Sequence, residues 1–487
     1  AQRGPVIPLY IIEPELWQQP DMSGRHWSFL QECLSSLRED LARLGQTLVV
    51  RHGEAVPVLE ALCTQHPVAA VWSHQETGNA WTYRRDRAVA RLLRHDGIPW
   101  HQARQHGVVR GPFDRDGWSR QWESLMGMPR FAPPRLPSVA GVDPGILPTQ
   151  PTVALARDPC PGRQPGGRQA AEQALHSFLQ QRGARYHLEM SSPRTASSSC
   201  SRLSAHLAWG TLSMRETLQA TRQRRAELKQ RRQPPGDSWR RALAAFEGRL
   251  HWHCHFMQKL ESEPRFEFEN MQRATSGLRD PHCDRARLRA WQTGNTGWPL
   301  VDACMRNLAH TGWINFRMRA MLMSVASYQL WLHWREPALH LARLFVDYEP
   351  GIHYPQAQMQ SGTTGINTLR IYNPVKQSLD QDSEGVFIRT WVPELSRIDG
   401  AWIHTPWRMP AEMQRDRGIV IGRDYPAPLV DHEAAARQAR QLIQRARRTA
   451  DARSESREIQ ARHGSRKPTR RRRGHNPPQA DLPLDGS

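Results

Sequence analysis

The sequence predicts an α/β domain with a parallel, Rossmann-like sheet at its N-terminal end, followed by a larger all-α domain. Three observations carry this. Short apolar runs alternate with helical repeats over roughly residues 1–110. A Pro- and Gly-rich stretch without periodicity covers residues 131–168. From about residue 169 onward, apolar residues recur at helical spacing and strand-like runs are scarce.

The elements follow in order. GPVIPLYII at 4–12 is short, apolar and bounded by Gly and Pro, as a buried strand should be. Leu30, Leu37, Leu41 and Leu44 then mark a helix over 27–44 that Gly45 stops. TLVVRHG is a second strand, VPVLEALCTQH a helix, and VAAVWSH a third strand. TYRRDRAVARLLRHDG is another helix, closed at Gly97, and IPWHQ is a fourth strand. We therefore expect an α/β domain at 1–130, a linker at 131–168, a helical domain at 169–425, and a basic helical and disordered tail at 426–487. The first residue is not Met and the first strand begins almost at once, so further residues are expected upstream.

Composition narrows the function. The 487 residues carry a formal charge of +20, nearly all of the excess from arginine. Such a balance favours a polyanionic partner, nucleic acid before an anionic membrane. No apolar run reaches transmembrane length, and the start has no signal-peptide pattern. The seven cysteines are scattered and form no CxxC, which argues for a reducing, cytoplasmic setting over a disulfide framework. None follows Cys304, so no iron–sulfur cluster is expected near the C-terminus.

Three segments carry candidate chemistry. In SSSCSRLSAHLAWGTLSMRE at 197–216, small hydroxyl residues lead into a helix ended by Gly210. Unpaired first-turn N–H groups beside the Ser201 and Ser204 hydroxyls would suit a pyrophosphate, or would simply be capped. TGWINFRMRAMLMSVASYQLWLHW reads as one buried helix, apolar nearly all round. Arg317 and Arg319 within it need acidic partners, and VDYEPG at 346–351 is the nearby source. In FEGRLHWHCHF at 246–256, His251, His253 and His255 alternate around Cys254. Residues i and i+2 do not share a helix face, so no metal site is expected there.

These pieces, followed by GTTGINTLRIYNPVKQS and GVFIRTWVPEL, resemble in order the flavin-binding half of the photolyase/cryptochrome family; the likeness spans roughly residues 4–425. The resemblance implies FAD in the helical domain and room for a second antenna chromophore of folate or deazaflavin type in the α/β domain. It places Tyr186, Cys200, Ser201, Arg202, Leu203 and Ser204 at the cofactor. It pairs Arg319 with Asp347 beside the flavin ring, with Glu349 as the alternative acid. A positive charge there would favour the reduced, anionic flavin. The residue facing flavin N5 falls among Gly351, Ile352 and His353. Trp291 and Trp334 match the outer pair of an electron-transfer tryptophan series; the inner one is missing, which leaves Trp313, Trp331 or a tyrosine.

The resemblance also implies a DNA face. Trp252 would stack on a lesion extruded from the duplex, with Arg249, His253, Arg317, Arg370, Lys376 and Gln377 around it. The expected function is blue-light-driven electron transfer from reduced FAD to a cyclobutane pyrimidine dimer in UV-damaged DNA, by a monomer. Trp252, Arg319 and Asp347 would be central to it. A (6-4) photoproduct enzyme and a cryptochrome-like light receptor are the alternatives.

Overall fold

The computed structural model describes residues 4–464 except 112, 150–154, 157, 231–236, 281 and 283. The N-terminal region alternates as the sequence predicts. Strand β1 (Leu9–Ile12) pairs in parallel with β2 (Val49–His52), and β3 (Val71–Gln75) pairs in parallel with β4 (Trp100–Arg104). Helices Gly24–Arg43, Ala55–Gln65 and Ala80–His95 make the crossovers. The expected single sheet is instead two separate two-stranded pieces, because β1 and β3 do not pair with each other. Asn79 caps the third crossover helix by accepting from the N–H groups of Trp81 and Thr82.

The remainder is helical. Its central piece is the long helix Asp237–Ser262, which packs along Pro350–Ser361. Gly351 permits that approach: a Cβ there would stand 2.8 Å from the Cα of Met257. The expected long helix from Trp313 to Trp334 is shorter. It is α-helical over Phe316–Ser324, continues as a π-turn over Val325–Gln329, and ends before Trp331, whose φ is +54°. A buried aspartate organises the segment that follows Trp291. Asp302 accepts from Thr296 N (2.8 Å) and Oγ1 (2.7 Å), Gly297 N (3.0 Å) and the Tyr425 hydroxyl (2.5 Å).

Arg25 joins the two halves. It binds Asp158 through Nε (2.7 Å) and Nη2 (2.6 Å). It also donates to the carbonyls of Leu308, Ala309 and Leu344, at the C-terminal ends of helices Pro299–Thr311 and Arg335–Leu344. A cation at two helix C-termini satisfies orphan carbonyls and complements both dipoles.

Much of the segment read as a tail packs on the helical body. Helix His432–Arg447 buries Ala439 and Ile443 against Tyr328, and Arg447 donates to the carbonyls of Gly362 (2.8 Å) and Asn367 (3.0 Å). In helix Ala450–His463, Glu455 accepts from Arg273 N and Ala274 N, and His463 bonds Glu263 at 2.7 Å. The disorder expected for the last Arg-rich stretch falls outside the described residues. Ending the chain at residue 430 should therefore destabilise the helical domain by on the order of 3–6 kcal/mol, from the apolar area uncovered. Chemical denaturation of the two chain lengths checks this; equal midpoints would show that both helices are ornamental.

Candidate functional site: a cationic cleft in the helical domain

Arg319 projects from the first turns of Phe316–Ser324 and meets Asp347 in a two-pronged pair. Nη1–Oδ1 is 3.0 Å and Nη2–Oδ2 is 2.8 Å. The third guanidinium position donates from Nε to the Ile314 carbonyl at 2.7 Å, and the plane lies 4.1 Å over the Phe345 ring. Burial works against the Asp347 carboxylate, but Arg319, the Ser204 hydroxyl and Arg202 overcome it and hold its pKa below the usual carboxylate value. Ser204 thus spends its hydroxyl on Asp347. Glu349 does a different job: its carboxylate accepts from Gly351 N at 3.2 Å, capping Pro350–Ser361. Burial pushes that carboxyl up to about 8.

Three more guanidinium groups gather around Cys200 and affect its thiol, together with Arg319: those of Arg202, Arg182 and Arg249. Arg202 takes a left-handed backbone, φ +61°, and lies 4.1 Å over the Trp313 ring. Burial lowers its pKa to about 10. Arg182 donates to the carbonyls of Ala174, Cys200 and Ser201, fixing the loop between helices Pro193–Ser199 and Ser204–Ala208. Arg249 hydrogen-bonds Tyr186, whose ring is buried edge-on against Phe178 and Phe246. Ser201 accepts from Leu203 N at 3.4 Å, and Leu203 packs in the core. Among the described residues, Arg182, Arg202 and Arg249 form no ion pair with a carboxylate. Four cations near Cys200, only one of them paired with a carboxylate, leave a positive surplus that a diphosphate would neutralise. Part of the sequence pattern differs from the fold here: the serines before Cys200 form the helix Pro193–Ser199, and Cys200 ends it.

At the candidate flavin-ring end, Gly351 faces Met257, and His353 donates from Nε2 to the Ala338 carbonyl at 2.8 Å while packing on Phe345, Tyr348 and Tyr354. Ile352 is half-buried. Trp291 and Trp334 are wholly buried; their indoles donate to the Leu322 carbonyl (3.1 Å) and Asn270 Oδ1 (2.7 Å). The Trp334 ring lies 6.4 Å from Tyr354, whose hydroxyl donates to Asp21 at 3.1 Å.

The residues expected on a DNA face divide. Trp252 is 41 % exposed and packs against His255 and Phe256; the Lys259 ammonium lies 4.7 Å from the Phe256 ring. Arg249 and His253, one turn apart on the same helix, instead face inward, toward Tyr186 and His106 respectively. Burial explains this for His253, whose pKa falls to about 3 and which therefore offers no charge to a phosphate. Arg370 lies in the irregular chain before Pro374–Gln381, whereas Lys376 and Gln377 lie in that helix, capped by Asn373. Lys376 is exposed and Gln377 buried. Arg317 is half-buried, with its charge acting on Tyr372.

An α/β domain joined to a helical domain with a surplus of half-buried guanidinium groups suits a protein that holds an anionic dinucleotide cofactor. Residues 246–445 match the family described as the FAD binding domain of DNA photolyase, and residues 1–112 match DNA photolyase. The deoxyribodipyrimidine photo-lyase of Streptomyces griseus is 30% identical over 452 residues, which span 89% of this chain and 92% of that one. The cryptochrome DASH of Natronomonas pharaonis is 27% identical, over 88% and 93%. A class III photolyase from Agrobacterium tumefaciens superimposes with a TM-score of 0.79 at 25% identity, over 92% and 93% of the two chains. This chain belongs to the photolyase/cryptochrome family, and its cofactor is FAD.

Replacing Arg319 by Ala should leave Asp347 buried and unpaired, costing about 3 kcal/mol of stability and most of the bound flavin. Flavin absorbance per mole of protein and urea denaturation check both. Glu349 adds a pH dependence. Its folded pKa of about 8 exceeds the unfolded value of 4.5, so the unfolded chain binds fewer protons between these limits and stability falls as pH rises through the window. Glu349→Gln keeps the cap acceptor and should flatten that slope, a change on the order of 3 kcal/mol between pH 5 and 8. Denaturation of the flavin-free protein at both pH values measures it.

Proposed function

We propose that this protein repairs UV-damaged DNA in blue light, by electron transfer to a cyclobutane pyrimidine dimer. The observation that carries the reading is the pairing of two features on one helix. The inward face of Asp237–Ser262 contributes Arg249 to the cationic cluster, and another face presents the exposed Trp252 ring, packed on the half-buried Phe256, itself beside Lys259. A base extruded from a duplex would stack on such an aromatic surface within reach of the cleft.

FAD, when bound, supplies light absorption and the transferred electron. The chain's own residues do the rest. In this reading Arg182, Arg202 and Arg249 balance the diphosphate, with Tyr186 oriented by Arg249. Arg319, held in position by Asp347 and Phe345, would place a fixed positive charge toward the ring. Cys200, Ser201 and Leu203 shape the wall, and Ser204 locks Asp347. Arg317, Arg370 and Lys376 supply phosphate contacts along the DNA, giving a salt-dependent affinity. Trp334 and Trp291 are the candidate electron relay, with Tyr354 adjoining Trp334 in place of the missing inner tryptophan. A second, antenna chromophore would sit with the α/β domain. No helix among the described residues is long and apolar enough to cross a membrane.

The test is repair of a defined thymine-dimer oligonucleotide by the chemically reduced, flavin-loaded protein, in blue light against a dark control. Light-dependent recovery of thymines is the expected result. No recovery with flavin present would move the protein to a (6-4) lesion or to a receptor role. Trp252→Ala should weaken binding to the damaged oligonucleotide by about 1–3 kcal/mol, roughly 5- to 150-fold. Its affinity for undamaged duplex should be unchanged, as titration of the two DNAs would show.

A further inference from the structure

Where the α/β domain meets the long helix, the structure gathers three metal-ligating side chains. His106 follows β4, and His253 and Cys254 are neighbours on Asp237–Ser262. One ligand atom from each lies within 4.8 Å of the other two. Tetrahedral zinc, with bonds of about 2.0–2.1 Å to nitrogen and about 2.3 Å to sulfur, spaces its ligands roughly 3.3–3.6 Å apart. The trio is thus an ångström or so from closure.

The surroundings leave these groups available. His106 is only 5 % exposed and Cys254 is fully buried. Nδ1 of His106 and Nδ1 of His253 are both buried without a hydrogen-bond partner. The two rings stand 5.5 Å apart at 46°, so they do not stack face to face. The Cys254 sulfur accepts a weak bond from Gly107 N at 3.4 Å, which fixes the loop that carries His106. Alternation along the helix brings no such set together; His251 and His255 turn toward Trp118, and the third ligand comes from 147 residues upstream of His253.

We propose that His106, His253 and Cys254 bind one divalent cation of the zinc class, with a fourth coordination position left open. Two imidazoles and a thiolate select zinc-like ions over magnesium or calcium, which require oxygen ligands. On binding, the Cys254 S–H bond breaks, the metal–sulfur bond forms and the proton leaves to solvent, so zinc uptake releases one proton. The ion would clamp the end of β4 onto the helix that carries Trp252 and Arg249. It would also add positive charge to the helix that carries Arg249, one turn from His253. This site does not depend on the repair reaction proposed above.

The experiment uses the full-length, flavin-loaded protein, exposed to zinc chloride and then dialysed against metal-free buffer. The expected result is one zinc per chain. In His106→Ala and Cys254→Ala, retained zinc should fall at least tenfold while flavin content is unchanged. X-ray absorption at the zinc edge of the unsubstituted protein should show one sulfur at about 2.3 Å, a readout that needs no variant to fold. Failure to retain zinc, equal retention in both folded variants, or a first shell without sulfur would each overturn the site.

Discussion

The Arg319–Asp347 pair is the constraint on which the cleft depends. Asp347 pairs with one of the four guanidinium groups that gather around Cys200 and feels the charge of a second, Arg202, and its side chain is only 4 % exposed. An acid so desolvated is stable as an anion only because Arg319 grips both oxygens and Ser204 adds a hydroxyl. That geometry orients the carboxylate, which in turn fixes the chain just before the Glu349 cap and hence the start of Pro350–Ser361. The remaining arginines are held by carbonyls and aromatic faces. These interactions fix their positions without neutralising them, so the charge stays available to an anion.

The same economy operates between the halves of the molecule. Arg25 serves Asp158 and three carbonyls at two helix ends. Asp21 accepts from the hydroxyls of Tyr348 (2.5 Å) and Tyr354 (3.1 Å) and from Asn79 Nδ2 (3.2 Å). One residue of the α/β half thus sets the rings that flank His353 in the helical half. The position of the α/β domain is therefore coupled to the candidate flavin-ring end by short, directional bonds.

Local patterning made part of this legible. Strands and crossover helices announce themselves through short apolar runs and 3.6-residue spacing, so the order of the α/β elements could be read directly, as could VDYEPG as the acid source for the buried arginines; the choice of Arg319 with Asp347 came only from the family resemblance. Four features could not be read this way. Pairing of β1 with β3 is a tertiary matter, and nothing within either run reports its neighbour. The π-turn and the left-handed Trp331 break a stretch whose composition is uniformly apolar, so periodicity carried the expected helix too far. The segment after residue 430 is polar enough to pass for a solvated tail. It docks through a narrow stripe, Ala439, Ile443, Ala452 and Ile459, and through arginine and glutamate bonds to backbone. His106 was invisible for a simpler reason: a lone histidine in a loop has no pattern until a distant helix meets it.

The helix Asp237–Ser262 shows why rotation about a single axis matters so much here. Leu250, Cys254 and Met257 lie on its buried side. Arg249 and His253 share the adjoining inward face, one turn apart, and Trp252, Phe256 and Lys259 share another, also at helical spacing. A rotation of one residue, about 100°, would exchange all three sets at once. Met257 is the residue turned toward Pro350–Ser361, and the helices approach there only because position 351 has no side chain: a Cβ would stand 2.8 Å from the Met257 Cα. A glycine with no chemistry of its own thus sets how closely the long helix, with its cluster-facing Arg249 and exposed Trp252, lies against the segment that follows Asp347.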